Sequence, residues 1–240
     1  MSAPPGNIVV LTGSGVSAES GVATFRDKDG IWAKYDYREV ATPEGFAANP
    51  DLVHSFYNDR RRKLPSVNPN AAHMALAELE AALGAAGGRL TLITQNVDDL
   101  HERAGSKNIL HMHGELSKAT CAHCGHVCDC AGDLSVNDHC SVCERHGGMR
   151  PYVVWFGEIP RYMDESMDAI LSADLFVSIG TSGSVYPAAG FVGEARAAGV
   201  TVMELNLEPS ENAHIFHDGR YGPATKVVPV WTQEILAQLA

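Results

Sequence analysis

All six cysteines of this 240-residue chain fall between Cys121 and Cys143, and four of them are spaced as Cys121-x2-Cys124, fifteen residues, then Cys140-x2-Cys143. Each pair bends its chain so that two thiolates converge, and two such knuckles complete a tetrahedral Zn2+ site. Four thiolates leave no coordination position for water or substrate, so one structural zinc is expected. His123, His126, His139 and His146 lie nearby as substitute ligands, but the regular cysteine pairs are the better set. Cys128 and Cys130 are left over, and read as free thiols on the loop of the same module. Cysteines confined to a metal site point to a reducing, cytoplasmic location.

The remainder alternates between two periods. Ile8–Thr12, Leu90–Thr94, Leu175–Ile179 and Thr201–Leu205 are short β-branched runs, read as buried parallel strands. Lys226–Val230 is read as an edge strand, because Pro229 cannot donate to a ladder. Between strands, Ala72, Leu76, Leu79 and Leu83 repeat at helical spacing, and the Ala/Gly run 81–88 reads as that helix's end. Strands alternating with helices predict an α/β fold: a Rossmann-like doubly wound parallel sheet, with a smaller inserted zinc-ribbon plus helical module. Residues 1–33, 67–117 and 151–240 are assigned to the nucleotide-binding part. Residues 34–66 (helical) and 118–150 (zinc-binding) are assigned as insertions forming the small domain.

The chain carries 18 Lys+Arg against 29 Asp+Glu, a net charge of −11. That balance argues against a nucleic-acid partner. No apolar run approaches the roughly 18 residues that span a bilayer, and the N-terminus has no basic region of a secretory signal. No membrane association is expected. No motif sets an oligomeric state.

Polar motifs sit where the predicted strands end, the place at which open α/β sheets bind ligands. The first strand runs into Gly13-Ser14-Gly15-x-x-Ala18, a pattern that lets backbone approach a pyrophosphate at a helix start. No acidic ribose partner follows at the end of a second strand. The chain continues instead as a polar loop from Glu19 to Trp32, read as a cover over a cofactor. Thr94-Gln95-Asn96-Val97-Asp98 ends the second strand, and reads either as a ribose or nicotinamide contact or as a simple Asx turn. His111 and His113 stand at i, i+2 in an extended segment, and either imidazole is a candidate general base. Gly180-Thr181-Ser182 and Asn206-Leu207-Glu208 end two later strands.

Together with Thr24-Phe25-Arg26, His113-Gly114 and Phe156-Gly157-Glu158, these motifs resemble the sirtuin family of NAD-dependent protein-lysine deacylases over essentially the whole chain. Tyr57-x-x-Arg60 is similar to the marker of the bacterial members that also remove succinyl and malonyl groups. The resemblance implies NAD as co-substrate and acylated-lysine proteins or peptides as partners. It implies NAD contacts at Gly13, Ser14, Gly15, Ala18, Thr24, Phe25, Arg26, Trp32, Gln95, Asn96, Asp98, Gly180, Thr181, Ser182, Asn206, Leu207, Glu208 and Ala224. His113 would be the general base, with Asn96, Asp98 and Arg26 in the catalytic set. Backbone from Val154 through Phe156 to Gly157 would hold the peptide as an added strand. Ala41 would line a roomy acyl pocket. Nicotinamide and O-acyl-ADP-ribose would be released.

Tyr57 and Arg60 also have a physical rationale, since residues at i, i+3 share a helix face and a guanidinium grips a carboxylate through paired bonds. Without the resemblance, Arg60-Arg61-Arg62-Lys63 reads as a solvated basic face. The chain departs from the family pattern at Ser14, where Ala is usual, and at Ala23, where Pro is usual. An ADP-ribosyltransferase on the same scaffold would share the NAD site but have no use for the Tyr57/Arg60 pair.

Overall fold

The computed structural model describes residues 5–24 and 31–239. Its strands are β1 (Asn7–Thr12), β2 (Arg89–Thr94), β3 (Ile109–His111), β4 (Gly114–Cys121), β5 (Val127–Asp129), β6 (Met149–Val153), β7 (Leu175–Ile179), β8 (Thr201–Asn206) and β9 (Asp218–Tyr221). Six form one sheet in the order β3-β2-β1-β7-β8-β9, and every neighbouring pair is parallel. This is the Rossmann order, with the reversal of winding between β1 and β7. The predicted strands fall in β1, β2, β7 and β8, whose central residues are buried as a sheet covered on both faces requires.

The helices are α1 (Ile31–Lys34), α2 (Tyr37–Val40), α3 (Pro43–Ala48), α4 (Pro50–Lys63), α5 (Ala71–Ala85), α6 (Leu100–Ala104), α7 (Met163–Leu171), α8 (Phe191–Ala197) and α9 (Ala224–Leu239). One face of the large sheet packs on α5 and α9 through Leu76, Leu79, Trp231 and Ile235. The other packs on α7 and α8 through Ile170, Phe191 and Val192. Helix α5 starts at Asn70, whose side chain accepts the Ala72 N–H at 2.9 Å while His73 Nδ1 accepts the Asn70 N–H at 3.2 Å. This reciprocal cap satisfies two otherwise orphaned donors. Ala72, Leu76, Leu79 and Leu83 are all buried, the face their spacing predicts.

Lys226–Val230 is not an edge strand; it lies inside α9. Val228, Trp231, Thr232 and Ile235 are buried at i, i+3, i+4 and i+7, so the helical period over the longer window outweighs the short β-branched run. The edge position is taken by β9, paired from Met203↔Asp218 to Asn206↔Tyr221.

β4, β5 and β6 form a separate antiparallel sheet in the order β5-β4-β6, at whose end the cysteine knuckles stand. Helices α1 to α4 pack on it: Ile31, Val40, Val53, Phe56 and Tyr57 share a core with Leu116, Val153 and Trp155. Arg61 Nε donates to the Leu116 carbonyl at 2.8 Å, and Asn58 exchanges two hydrogen bonds with the Leu134 backbone.

The Sγ atoms of Cys121, Cys124, Cys140 and Cys143 all lie within 4.8 Å of one another, with Cys121–Cys143 at 3.7 Å and Cys124–Cys140 at 3.6 Å. A tetrahedron of Zn–S bonds near 2.3 Å has edges of roughly 3.8 Å, so the thiolates fit zinc. Cys128 and Cys130 stand outside this group as free thiols, and Cys130 donates to the Gly132 carbonyl. The apolar cluster around the knuckles is small: Ala119, Leu134 and Met149 besides the cysteines. Metal binding therefore supplies much of this module's folding free energy. Stripping the metal with a strong chelator should lower the melting temperature and promote aggregation. An unchanged melting curve after zinc release has been measured would contradict that.

Candidate active site

The carboxyl ends of β1, β2, β7 and β8 open into one cleft of about 700 Å3. Where the winding reverses, the Gly13 N–H donates to the Ile179 carbonyl and the Gly15 N–H to the Gly180 carbonyl, each at 3.0 Å. A Cβ on Gly13 would stand 2.7 Å from the Gly180 oxygen, and one on Gly15 2.8 Å from the Gly180 Cα. These glycines are therefore required by the crossing of two backbones, beyond any role toward a phosphate. Gly180 itself sits at φ +63°, where a side chain is strained.

Most of the residues read from sequence meet at this cleft. Ser14, Ala18, Thr24 and Trp32 continue the wall begun by Gly13 and Gly15, and Gln95 and Asn96 stand beside them. Gly180, Thr181 and Ser182 enter from β7, Asn206, Leu207 and Glu208 from β8, and Ala224 from the start of α9. Ala41, Tyr57, Arg60, Val154, Phe156 and Gly157 line its other side with His113. Phe25 and Arg26 lie outside the described residues. Asp98 does not line the cleft; it is only 6% exposed and sits behind Asn96.

What lies behind Asn96 is a buried polar knot that the sequence reading missed. Ser17 Oγ accepts from Asn96 Nδ2 at 3.1 Å and meets His73 Nε2 at 3.3 Å. Because His73 Nδ1 accepts from Asn70, its proton is assigned to Nε2, which donates to Ser17. The Ser17 hydroxyl then donates to the Asp98 carboxylate. Burial pulls His73 down to about 4, so the ring is neutral at physiological pH. Burial pushes Asp98 up to about 6, against the opposing bonds from the Leu100 N–H and Ser17. Ser17 was legible only as filler inside a glycine motif, and His73 only as one helix residue among apolar neighbours.

The two candidate bases separate. β3 ends at His111 and the chain turns at Met112–His113, so the alternation expected of an extended segment breaks. His113 lines the cleft, with Nδ1 3.1 Å from the Gln95 carbonyl. That contact places the proton on Nδ1 and leaves the Nε2 lone pair available. Burial lowers its pKa, and the Gln95 carbonyl only partly opposes this, so the ring is neutral at pH 7. His111 turns away, to Glu102 on α6.

At the other end, an aromatic wall encloses Tyr57 and Arg60. The Tyr57 hydroxyl accepts the Trp155 indole N–H at 3.0 Å. The Arg60 guanidinium lies 3.3 Å above the Phe56 ring and donates one bond to the Phe56 carbonyl at 2.8 Å, while its Nε is buried with no partner. Arg60 makes no ion pair with any described residue, and it is the one Lys or Arg lining the cleft among them. In the segment after β6, the N–H groups of Val154 and Phe156 bond to the carbonyls of His113 and Ala41, and Trp155 N–H bonds to Glu158. Arg150 clamps Glu158 and stacks 3.4 Å from Trp155. The Gly157 N–H and the Val154 and Phe156 carbonyls are left without partners among the described residues.

A Rossmann sheet with a polar cleft at its switch point, joined to a four-thiolate zinc module, defines a nucleotide-cleft enzyme scaffold of two packed parts. The chain belongs to the Sir2 family, whose model matches residues 13–187. It is 62% identical over 232 residues to an NAD-dependent protein deacylase of Caulobacter vibrioides, covering 97% of this chain and 98% of that one. It is 54% identical over 241 residues to one of Vibrio vulnificus, covering 100% and 97%. Among solved structures, a Sir2 homologue in complex with NAD matches with TM-score 0.88 at 37% identity, covering 98% of this chain and 91% of the other. A Sir2 protein bound to acetylated peptide matches with TM-score 0.81 at 27% identity, over 96% and 93%.

The buried Asp98 carboxyl carries a stability consequence. Its raised pKa means the folded state holds a proton more tightly than the unfolded chain, so stability declines as pH rises from about 4 to about 6. Asp98→Asn should therefore raise the melting temperature at pH 8 and leave it little changed at pH 4. Equal effects at both pH values would refute the buried-charge account.

Proposed function

We propose that this protein removes acyl groups from protein lysines at the expense of NAD, and that succinyl and malonyl groups are among its substrates along with acetyl. The acidic-acyl half of this reading is carried by Arg60: a cation in the cleft with a buried Nε that, among the described residues, has neither a hydrogen-bond partner nor a carboxylate to pair with. A buried donor left unmade costs about 1–3 kcal/mol, which a bound carboxylate would recover. Burial lowers the Arg60 pKa to about 10, so it remains cationic at neutral pH. Tyr57 is one helical turn away on α4, and with its oxygen already accepting from Trp155 its own proton is free to donate. Burial raises its pKa further, keeping that proton in place. Ala41 beside them leaves room for a longer acyl chain.

The NAD half is supported by family membership and by the polar residues at the strand ends. Bound NAD supplies an electrophilic ribose carbon with nicotinamide as its leaving group. Asn96, held by Ser17, and Thr181, Ser182, Asn206 and Glu208 would hold the dinucleotide. His113 would take a proton at Nε2 while donating Nδ1–H to Gln95. The unpartnered Gly157 N–H and the Val154 and Phe156 carbonyls would pair with an extended acyl-lysine peptide, fixing its backbone with little side-chain code. The products are free lysine, nicotinamide and O-acyl-ADP-ribose.

Mass spectrometry of one peptide, acetylated or succinylated on lysine, with and without NAD tests this directly. Loss of either acyl group only with NAD is expected. His113→Ala should abolish turnover while fold and zinc content persist; retained activity would refute its role. Arg60→Met should slow desuccinylation roughly tenfold or more, the scale of hydrogen bonds to a charged group at about 1.5–3 kcal/mol, and spare deacetylation. Equal loss of both activities would sink the clamp. NAD cleavage with ADP-ribose left on protein would instead indicate a transferase.

A further inference from the structure

His111 has no part in the chemistry above, yet its ring is almost fully buried and charged groups are arranged around it. It ends the edge strand β3, opposite Thr94 at the end of β2. Its Nε2 meets Glu102 Oε1 in a close ion-pair contact. Its Nδ1 is buried without a hydrogen-bond partner, and the Asn96 main chain acts on the ring in favour of its charged form. Glu102 belongs to α6, whose first turn is the direct continuation of the Gln95–Asp98 segment and donates the Leu100 N–H to Asp98 Oδ1 at 3.2 Å. Three other bonds tie that segment to the chain carrying His113: Met112 N–H to Thr94 O, His113 Nδ1 to Gln95 O, and Leu116 N–H to Val97 O. Of these contacts, the His111–Glu102 pair is the one formed between two titratable side chains.

We infer that protonated His111, paired with Glu102, is a positioning residue that holds the Asn96–Asp98 segment in register with His113, and that loss of its proton sets the alkaline limit of activity. The inference rests on the deacylase reading for its kinetic consequence, and on the geometry alone for the positioning.

The groups facing His111 give the sign. Glu102 and His101 face it from α6, Glu115 from β4, and the Asn96 carbonyl from the segment itself. Burial pulls the His111 pKa down, but the bond and charge of Glu102, with smaller help from Glu115 and Asn96, outweigh it and leave it raised. His101 is kept neutral by burial and adds no competing charge at neutral pH. A histidine with a raised folded-state pKa keeps its pair intact below its ordinary value and loses it as pH climbs through the raised one. His113 is shifted the opposite way, so it fails as a base only at lower pH. Two histidines two residues apart would thus bound activity from opposite sides, giving a bell-shaped profile.

The test has two arms. By NMR, the His111 ring should titrate above the ordinary histidine value, and the Asn96 and Val97 amide resonances should move with the same midpoint. In Glu102→Gln that midpoint should fall. Amide shifts that ignore the His111 titration would overturn the positioning role whether or not the protein is active. In the second arm, kcat is followed against pH. His111→Gln should lower kcat at neutral pH roughly tenfold, with the acyl-peptide KM little changed, and should flatten the alkaline limb while leaving the acid limb in place. An unaltered alkaline limb would overturn the regulatory role. Should His111→Gln fail to fold, Glu102→Gln serves, its alkaline limb moving to lower pH. Absence of any NAD-dependent turnover in the unmodified protein would count against the deacylase reading, and the NMR arm would still decide the positioning.

Discussion

The contact on which the rest depends is the crossing of two backbones at the switch point of the sheet. Gly13 and Gly15 leave β1 directly against the end of β7, their N–H groups bonded to the Ile179 and Gly180 carbonyls at 3.0 Å, with no space for a β-carbon on either side. That closeness lets β1 and β7 be neighbours in a sheet whose winding reverses between them. The chain on one side turns back toward α5 and α9, and on the other toward α7 and α8, so the loops diverge and a cleft must open between them. The two faces of the sheet are then sealed by separate apolar clusters, one of which reaches the cleft at Leu205. What fills the floor is polar.

A polar floor without solvent is expensive unless every group finds a partner. Here Ser17 serves three groups at once: His73, Asn96 and Asp98. Burial drives these sites toward neutrality, with His73 and His113 lowered and Asp98 raised. The cleft keeps a cation beside the aromatic wall, in Arg60, and a paired charge lies beneath the floor, in His111 and Glu102. A neutral floor suits a base that must accept a proton near pH 7. It also leaves Asn96 held by geometry instead of by charge, so a small displacement of the segment carrying it would be felt at His113.

Much of this was legible from residue order. β-branched runs marked four strands of the large sheet, the Cys-x2-Cys pairs marked the metal site, and polar residues at strand ends marked the cleft. Those signals are local and periodic, so a short window holds them. The reading of Lys226–Val230 failed because three valines and a proline outweighed the longer helical period that buries Val228, Trp231 and Ile235. The Ser17–His73 knot and the His111–Glu102 pair were beyond reach for another reason. Their partners are 56 and 9 residues apart along the chain and joined only by tertiary packing; His73 reads as one more helix residue, and His111 as a candidate base with no sign that it pairs with Glu102.

The end of the cleft that carries Tyr57 and Arg60 is held together differently from the floor. It is built on the smaller sheet and α1 to α4, whose apolar core is modest and whose far end is closed by four thiolates. Metal there does for the ribbon what a buried parallel sheet does for the larger part. The two ends of that ribbon are also mechanically linked. β6 pairs Met149 with Cys121 and Arg150 with Thr120, and Arg150 then clamps Glu158 and stacks on Trp155. Trp155 in turn donates to the Tyr57 hydroxyl. A continuous run of bonded and packed groups therefore leads from the cysteine knuckle to the Tyr57/Arg60 pair and to the segment that carries Gly157. Loosening the knuckle would loosen Arg150 first and the substrate side of the cleft next, while the strand ends of the large sheet, braced at Gly180, would hold their shape.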